Sequence, residues 1–169
     1  MKNIALVGFM GTGKSTIAAL LSKKLQVGYV DLDRKIEEKE GMRIVDIFSQ
    51  KGEPYFRKVE KDIVAKIFRR ENKIIACGGG VVLDDENVES IKKSGFMICL
   101  EATPEVILKR TKSYKHRPLL NVGDPELKIY ELLKKRKPYY AKADYTVDTS
   151  GLSTHEVVSV ILSWLEGKT

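Results

Sequence analysis

Cysteine is scarce: the chain of 169 residues has two, Cys77 and Cys99, each inside a short apolar run. That argues against a disulfide framework and a cysteine-ligated metal centre, and buried free thiols are the expected state. Long hydrophobic runs are missing, so no segment reads as a membrane span. The first apolar run, residues 4–7, is cut by Gly8 and is too short for the core of a secretory signal. A cytoplasmic location is the expectation. Linkers, repeats and low-complexity stretches are absent, so residues 1–169 are expected to form one domain with a substantial core. Also missing is any long basic run interleaved with aromatic residues. The net charge is +7, but lysines mix with acids, as in Lys35-Ile36-Glu37-Glu38-Lys39-Glu40. A polyanionic small ligand on a solvated surface fits this better than a nucleic-acid platform. Glutamine is limited to Gln26 and Gln50 while Lys and Glu abound, a composition that leans towards thermophily.

What the chain does have begins at Gly8. Gly8-Phe9-Met10-Gly11-Thr12-Gly13-Lys14-Ser15-Thr16 fits G-x-x-x-x-G-K-[ST]. This motif binds phosphate only between a strand and a helix. Residues 3–7 read as a buried strand, and Ile17, Leu20, Leu21 and Leu25 recur at helical spacing. The glycines let backbone N–H groups curl around phosphate oxygens at a helix N-terminus, where the helix dipole also favours anions. Lys14 is placed to reach the β- and γ-phosphates of a nucleoside triphosphate, and the Ser15 hydroxyl to sit on Mg²⁺.

Further along, strand-like and helix-like segments alternate, which predicts an α/β fold: a doubly wound, five-stranded parallel sheet flanked by helices. Strands are expected at residues 3–7, 29–32, 73–77, 96–100 and 144–148. Gly41 reads as a helix C-cap. Short and long helices follow near residues 45–49 and from Pro54. Asp84 or Asp85, Thr103 and Asp124 read as helix starts. Ser153-Thr154-His155-Glu156 fits a capping box. Ligands of doubly wound sheets bind at the carboxyl ends of the strands, so the other strand ends matter as much as the P-loop.

The second strand ends in Asp31-Leu32-Asp33. Strand alternation puts both carboxylates on one side, one to hold Mg²⁺ through water and one to take a proton from an acceptor hydroxyl; alternatively both cap the next helix. Arg57 lies one position off the stripe of Phe56, Val59, Ile63, Val64 and Ile67. Glu60 is placed to pin it, or the two form an ordinary exposed pair. Arg136 falls on the apolar stripe of Ile129, Leu132, Leu133 and Tyr140 with no acid three or four residues away. A cation there needs a partner: a ligand carboxylate or phosphate, unless the side chain snorkels. Gly78-Gly79-Gly80 at a strand end permits close approach of a ligand to backbone, or makes a tight turn. Residues 112–124 are mostly polar and aperiodic, as lids are. Arg117 is placed there to act as an arginine finger on the phosphates. His116 beside it reads as solvated, and His155 as a surface residue.

Taken together, G-F-M-G-T-G-K-S-T, D-L-D at residues 31–33, G-E-P-Y-F-R-K-V-E at 52–60, G-G-G at 78–80, R-P-L-L at 117–120 and R-K-P-Y-Y at 136–140 resemble the shikimate kinase family. These are P-loop proteins of the nucleoside-monophosphate-kinase-like type. The motifs run in family order over most of the chain. The resemblance implies a sheet of strand order 2-3-1-4-5 and ATP-dependent phosphorylation of the 3-hydroxyl of shikimate, on the route to chorismate and the aromatic amino acids. It implies catalytic roles for Asp33, Lys14 and Arg117. It places ATP on Gly11, Thr12, Gly13, Lys14, Ser15, Thr16, Arg110 and Arg117, with Arg110 against the adenine. It places shikimate on Asp33, Arg57, Gly79 and Arg136, with the two arginines on its carboxylate, and Mg²⁺ on Ser15 and, through water, Asp31. The substrate-binding segment is then about residues 33–60 and the lid about 112–124. The expected partners are ATP/ADP and shikimate, with no nucleic acid and no membrane, acting on a monomer. Two positions depart from the pattern. No acid ends the third strand, which leaves Asp31 to stand in, and residues 149–153 lack the proline expected near the adenine. A gluconate or nucleotide kinase, a nucleic-acid-dependent ATPase and a nucleotide switch remain as alternatives. Two arginines on a carboxylate disfavour a neutral sugar, and D-x-D disfavours a phosphorylated acceptor.

Overall fold

The computed structural model describes residues 1–112 and 123–168. Its strands are β1 (Asn3–Val7), β2 (Gly28–Asp31), β3 (Lys73–Ala76), β4 (Gly95–Glu101) and β5 (Tyr145–Asp148). They form one sheet in the order β2-β3-β1-β4-β5, and every pairing is parallel. This is the expected fold class and order. β1 is buried along its whole length, as an aliphatic strand must be when helices cover both faces of the sheet. Ala5 lies opposite Ile75 on one side and Met97 on the other.

Alternation splits β1 between two cores. Ala5 and Val7 pack with Ile75, Met97 and Cys99 on one face; Ile4 and Leu6 pack with Ile74, Ile98 and Leu100 on the other. Helices α3 (Ile44–Lys51), α4 (Glu53–Ile67), α5 (Asp85–Ser94) and α7 (Pro125–Tyr140) close the first core through Ile47, Val64, Ile91 and Ile129. Helices α1 (Lys14–Leu25) and α8 (Thr154–Glu166) close the second through Leu21 and Ile161. Between them run α2 (Leu32–Glu40) and α6 (Pro104–Thr111).

Local chemistry sets the helix ends. The side chains of Asp84, Thr103, Asp124 and Ser153 each accept a backbone N–H of the first turn that follows, and Ser153 with Glu156 completes the capping box. Gly41 closes α2 in the left-handed conformation at φ 65°. Two local expectations need correction. β2 stops at Asp31, not Leu32, because the Asp31 carboxylate accepts Arg34 N–H at 3.1 Å and starts α2 at once. A 3₁₀ turn, Val81–Leu83, follows the glycine run and was not foreseen. Among the described residues no helix is long and apolar enough to cross a membrane.

Candidate active site

β1 delivers the phosphate-binding loop and β3 the glycine run, side by side at the carboxyl ends of adjacent strands. Gly8 has φ 137°, and a Cβ there would collide with the Leu100 carbonyl of β4. The loop is curled by its own side chains. Thr12 Oγ1 donates to the Phe9 carbonyl at 2.7 Å, and the Lys14 ammonium donates to the Gly8 and Phe9 carbonyls at 2.8 and 2.9 Å. Gly13, left-handed at φ 92°, starts α1. Gly11, Gly13, Lys14, Ser15 and Thr16 line a cleft that also contains Asp31, Asp33 and Gly79.

Asp31 takes the capping role that its position allowed, and its second oxygen is occupied as well. One carboxylate oxygen caps α2; the other accepts the Ser15 hydroxyl at 2.8 Å and the Tyr29 hydroxyl at 3.3 Å. Asp33 shares the cleft with Asp31, yet strand alternation is not the reason: Asp33 stands in the first turn of α2 and faces the cleft from a helix.

Asp33 and Gly79 also line the next cavity, of about 230 Å³, together with Arg57, Glu60 and Arg136. Arg57 donates to Glu60 at 2.9 Å and to Glu53 at 3.3 Å. Glu60 is 1 % exposed, with Oε2 lacking a hydrogen-bond partner. Burial pushes its carboxyl pKa up, against the pull of the Arg57 guanidinium. Arg136 is 2 % exposed, lies 5.6 Å from the Phe9 ring, and has Nη1 without a partner. It does not snorkel: its cation is buried and aimed into a cavity.

The glycine run makes room for these side chains more than for a turn, and none of its residues has positive φ. A Cβ on Gly78 would stand 3.0 Å from both Asp33 and Glu60 carboxylate oxygens; on Gly79, 3.3 Å from Arg136; on Gly80, 2.6 Å from the Arg57 guanidinium carbon. Because the obstacle at Gly80 is the end of a long side chain, Gly80→Ala is expected to fold while displacing Arg57. Acceptor KM should rise about 10-fold or more, the scale of a lost charged hydrogen bond, with ATP KM unchanged. Steady-state kinetics in each substrate checks this, and an unchanged acceptor KM would separate Arg57 from acceptor binding.

On the other side of the phosphate cleft, Arg110 donates to the Gly11 carbonyl and to Thr149 at 3.1–3.2 Å. It ties the loop to the segment after β5 and lines a third cavity, of about 300 Å³, with Gly11, Thr16, Leu152 and Thr154. The phosphate cleft shares wall residues with each of the other two cavities: Asp33 and Gly79 with one, Gly11 and Thr16 with the other. Cys77, on the cleft wall, and Cys99 are buried free thiols whose pKa values burial raises, Cys99 to about 12, so neither supplies a thiolate nucleophile. Arg117, His116 and residues 113–122 of the expected lid lie outside the described residues.

Reasoning from sequence took Glu60 only as a partner for Arg57. A signal was available: Glu60 is four residues after Phe56, on the buried stripe of α4, which is the same misplaced charge that singled out Arg136. Arg34 and Glu37 also line the cavity that holds Arg57 and Arg136, and Glu37 accepts Ile44 N–H at 3.2 Å, joining α2 to α3. No sequence signal marks these, or Tyr29.

A doubly wound α/β fold with a P-loop, an adjoining carboxylate and a second cavity carrying two guanidinium groups defines a P-loop kinase of small molecules. The family model described as shikimate kinase matches residues 10–166. The shikimate kinase of Thermodesulfovibrio yellowstonii is 48 % identical over 166 residues, covering 98 % of this chain and 96 % of that one. That of Caldanaerobacter subterraneus subsp. tengcongensis is 47 % identical, covering 96 % and 95 %. Among solved structures, shikimate kinase from Acinetobacter baumannii in complex with shikimate superimposes with a TM-score of 0.97 at 36 % identity, covering 100 % of this chain and 95 % of that one. Shikimate kinase from Aquifex aeolicus gives 0.85 at 38 %, covering 98 % and 97 %. The chain belongs to the shikimate kinase family. It is therefore an ATP-dependent phosphotransferase, and use of ATP implies a divalent metal.

Proposed function

We propose that this chain transfers the γ-phosphoryl group of ATP to the 3-hydroxyl of shikimate, giving shikimate 3-phosphate and ADP. The observation that carries this reading is the acceptor cavity: Arg57 and Arg136 share it with Asp33, and Asp33 also borders the phosphate cleft. Two guanidinium groups suit the acceptor carboxylate. The carboxylate of Asp33 suits a ring hydroxyl that must lose its proton.

The P-loop from Gly11 to Thr16 holds the phosphates, and the Lys14 ammonium is within reach of both the loop carbonyls and the cleft. Arg110 borders the cavity assigned to adenine. Ser15 and Asp31 present a hydroxyl and a carboxylate in direct contact, hard oxygen donors that fit Mg²⁺. Among the described residues no group of three or more His, Cys, Asp or Glu is arranged to hold a metal, which suits an ion carried mainly by phosphates and water, with Asp31 acting through water. Bound there, Mg²⁺ supplies charge neutralisation on the phosphates. Asp33 orients the acceptor hydroxyl towards the γ-phosphoryl and takes its proton. Arg57, Arg136 and the Gly79 backbone fix the acceptor, so most of the rate enhancement comes from positioning and preorganised charge. Arg117 is assigned from its sequence context alone to stabilise charge on the transferring group.

We take residues 1–169 as one domain, with the acceptor residues on about 33–60 and the lid at about 112–124, acting as a cytoplasmic monomer without nucleic-acid or membrane partners. The large exposed apolar side chains described, Met1, Tyr29, Leu127 and Tyr130, are few, which favours a monomer. The test is a coupled assay of ADP release with shikimate, gluconate and CMP or UMP in parallel. Release with shikimate alone is expected; release only with gluconate or a nucleotide overturns the choice of acceptor.

A further inference from the structure

The two guanidinium groups of the acceptor cavity are held in different ways. Arg57 is already paired, with Glu60 and Glu53. Arg136 rests on neutral groups, the Phe9 ring and the bare Cα of Gly79, with Nη1 unpartnered. Glu60 acts on it only through space.

Tyr140 lies one helical turn after Arg136 on α7, within side-chain reach. It is 5 % exposed. Its hydroxyl donates to the Gly79 carbonyl at 2.5 Å, and Gly79 is the residue whose bare Cα lies against the Arg136 guanidinium. A phenol can make this bond without carrying a charge. Burial pushes its pKa up to about 12, so it stays neutral near pH 7. A carboxylate in the same place could not donate to that carbonyl and would cancel the charge that an anionic acceptor needs. A phenylalanine would leave the buried Gly79 carbonyl unsatisfied and its backbone free to shift away from the guanidinium.

We propose that Tyr140 is a positioning residue for the acceptor carboxylate, fixing the Gly79 backbone against which Arg136 lies without bringing a charge that would neutralise the guanidinium. This rests on the acceptor reading given above. It also assigns the two arginines different work. Arg136 brings uncompensated positive charge, and Arg57, with its charge shared by two acids, brings shape and a second set of donors.

The test is Tyr140→Phe, assayed with shikimate and with its carboxamide, which keeps the ring and hydroxyls but has no charge. The KM for shikimate should rise about 10-fold, the scale of one lost hydrogen bond to a buried group. Turnover and ATP KM should stay within about two-fold, and the KM for the carboxamide should move little, so that the preference for the carboxylate falls. Both KM values report only the active molecules, so their ratio does not depend on the fraction folded. An unchanged KM for shikimate, or equal rises for both compounds, overturns the proposal. So does a variant that fails to fold even in the cold, which would make Tyr140 structural. Wild-type enzyme that does not phosphorylate shikimate refutes the acceptor reading itself; active wild type with unaltered selectivity in the variant refutes the role of Tyr140 alone.

Discussion

Asp33→Asn is expected to leave ATP affinity within a few-fold and to cut turnover by about 10²–10⁴, the range for a positioned acid or base. The asparagine keeps the size and the hydrogen-bonding reach of the aspartate, but it cannot take a proton at neutral pH. Asp33 is the residue best placed to show this, because its carboxylate borders the phosphate cleft and the acceptor cavity together. Asp31, two residues earlier, already caps α2 and accepts the Ser15 and Tyr29 hydroxyls. Turnover from the coupled assay, with ATP affinity from calorimetry, separates chemistry from binding. Full turnover in the variant would remove the base assignment.

Arg136→Ala should act on the acceptor alone. Removing one partner of a buried charge pair costs ~2–5 kcal/mol, so acceptor affinity should fall by about 30-fold to a few thousand-fold. Here the penalty is concentrated, because the substrate carboxylate would be left in a cavity that holds Glu60 and Asp33 with only the already paired Arg57 for support. The free enzyme should not suffer in proportion. Arg136 is a buried cation with an unpartnered Nη1, and deleting such a group relieves desolvation. Thermal melts beside acceptor titrations distinguish the outcomes: lost stability with unaltered affinity would make Arg136 structural.

Element by element, the helices and strands were legible because periodicity and caps are local. Asp84, Thr103 and Ser153 act on N–H groups two or three residues away, and a window of sequence contains both partners. The strand end misread at Asp31 failed for a local reason too: a carboxylate placed to continue a strand was also placed to cap a helix. Arg136 was legible because a cation on an apolar stripe is anomalous wherever it occurs. Glu60 carried the same anomaly in weaker form, since an acid beside an arginine at helical spacing resembles any surface pair until its burial is seen.

By itself the sequence determined the phosphate-binding loop, the alternation of strands and helices, and a set of charged residues that no apolar core would choose. Those are properties of short stretches, set by side-chain period, backbone freedom and capping. Only the tertiary structure decided that Asp33 reaches its cleft from a helix, that Gly78, Gly79 and Gly80 are bare so that Asp33, Glu60, Arg136 and Arg57 can lie against them, and that Tyr140 holds the Gly79 carbonyl. These contacts link residues some twenty to sixty positions apart. Their geometry follows from the order of strands in the sheet, which brings the ends of β1 and β3 together and lays α7 beside them.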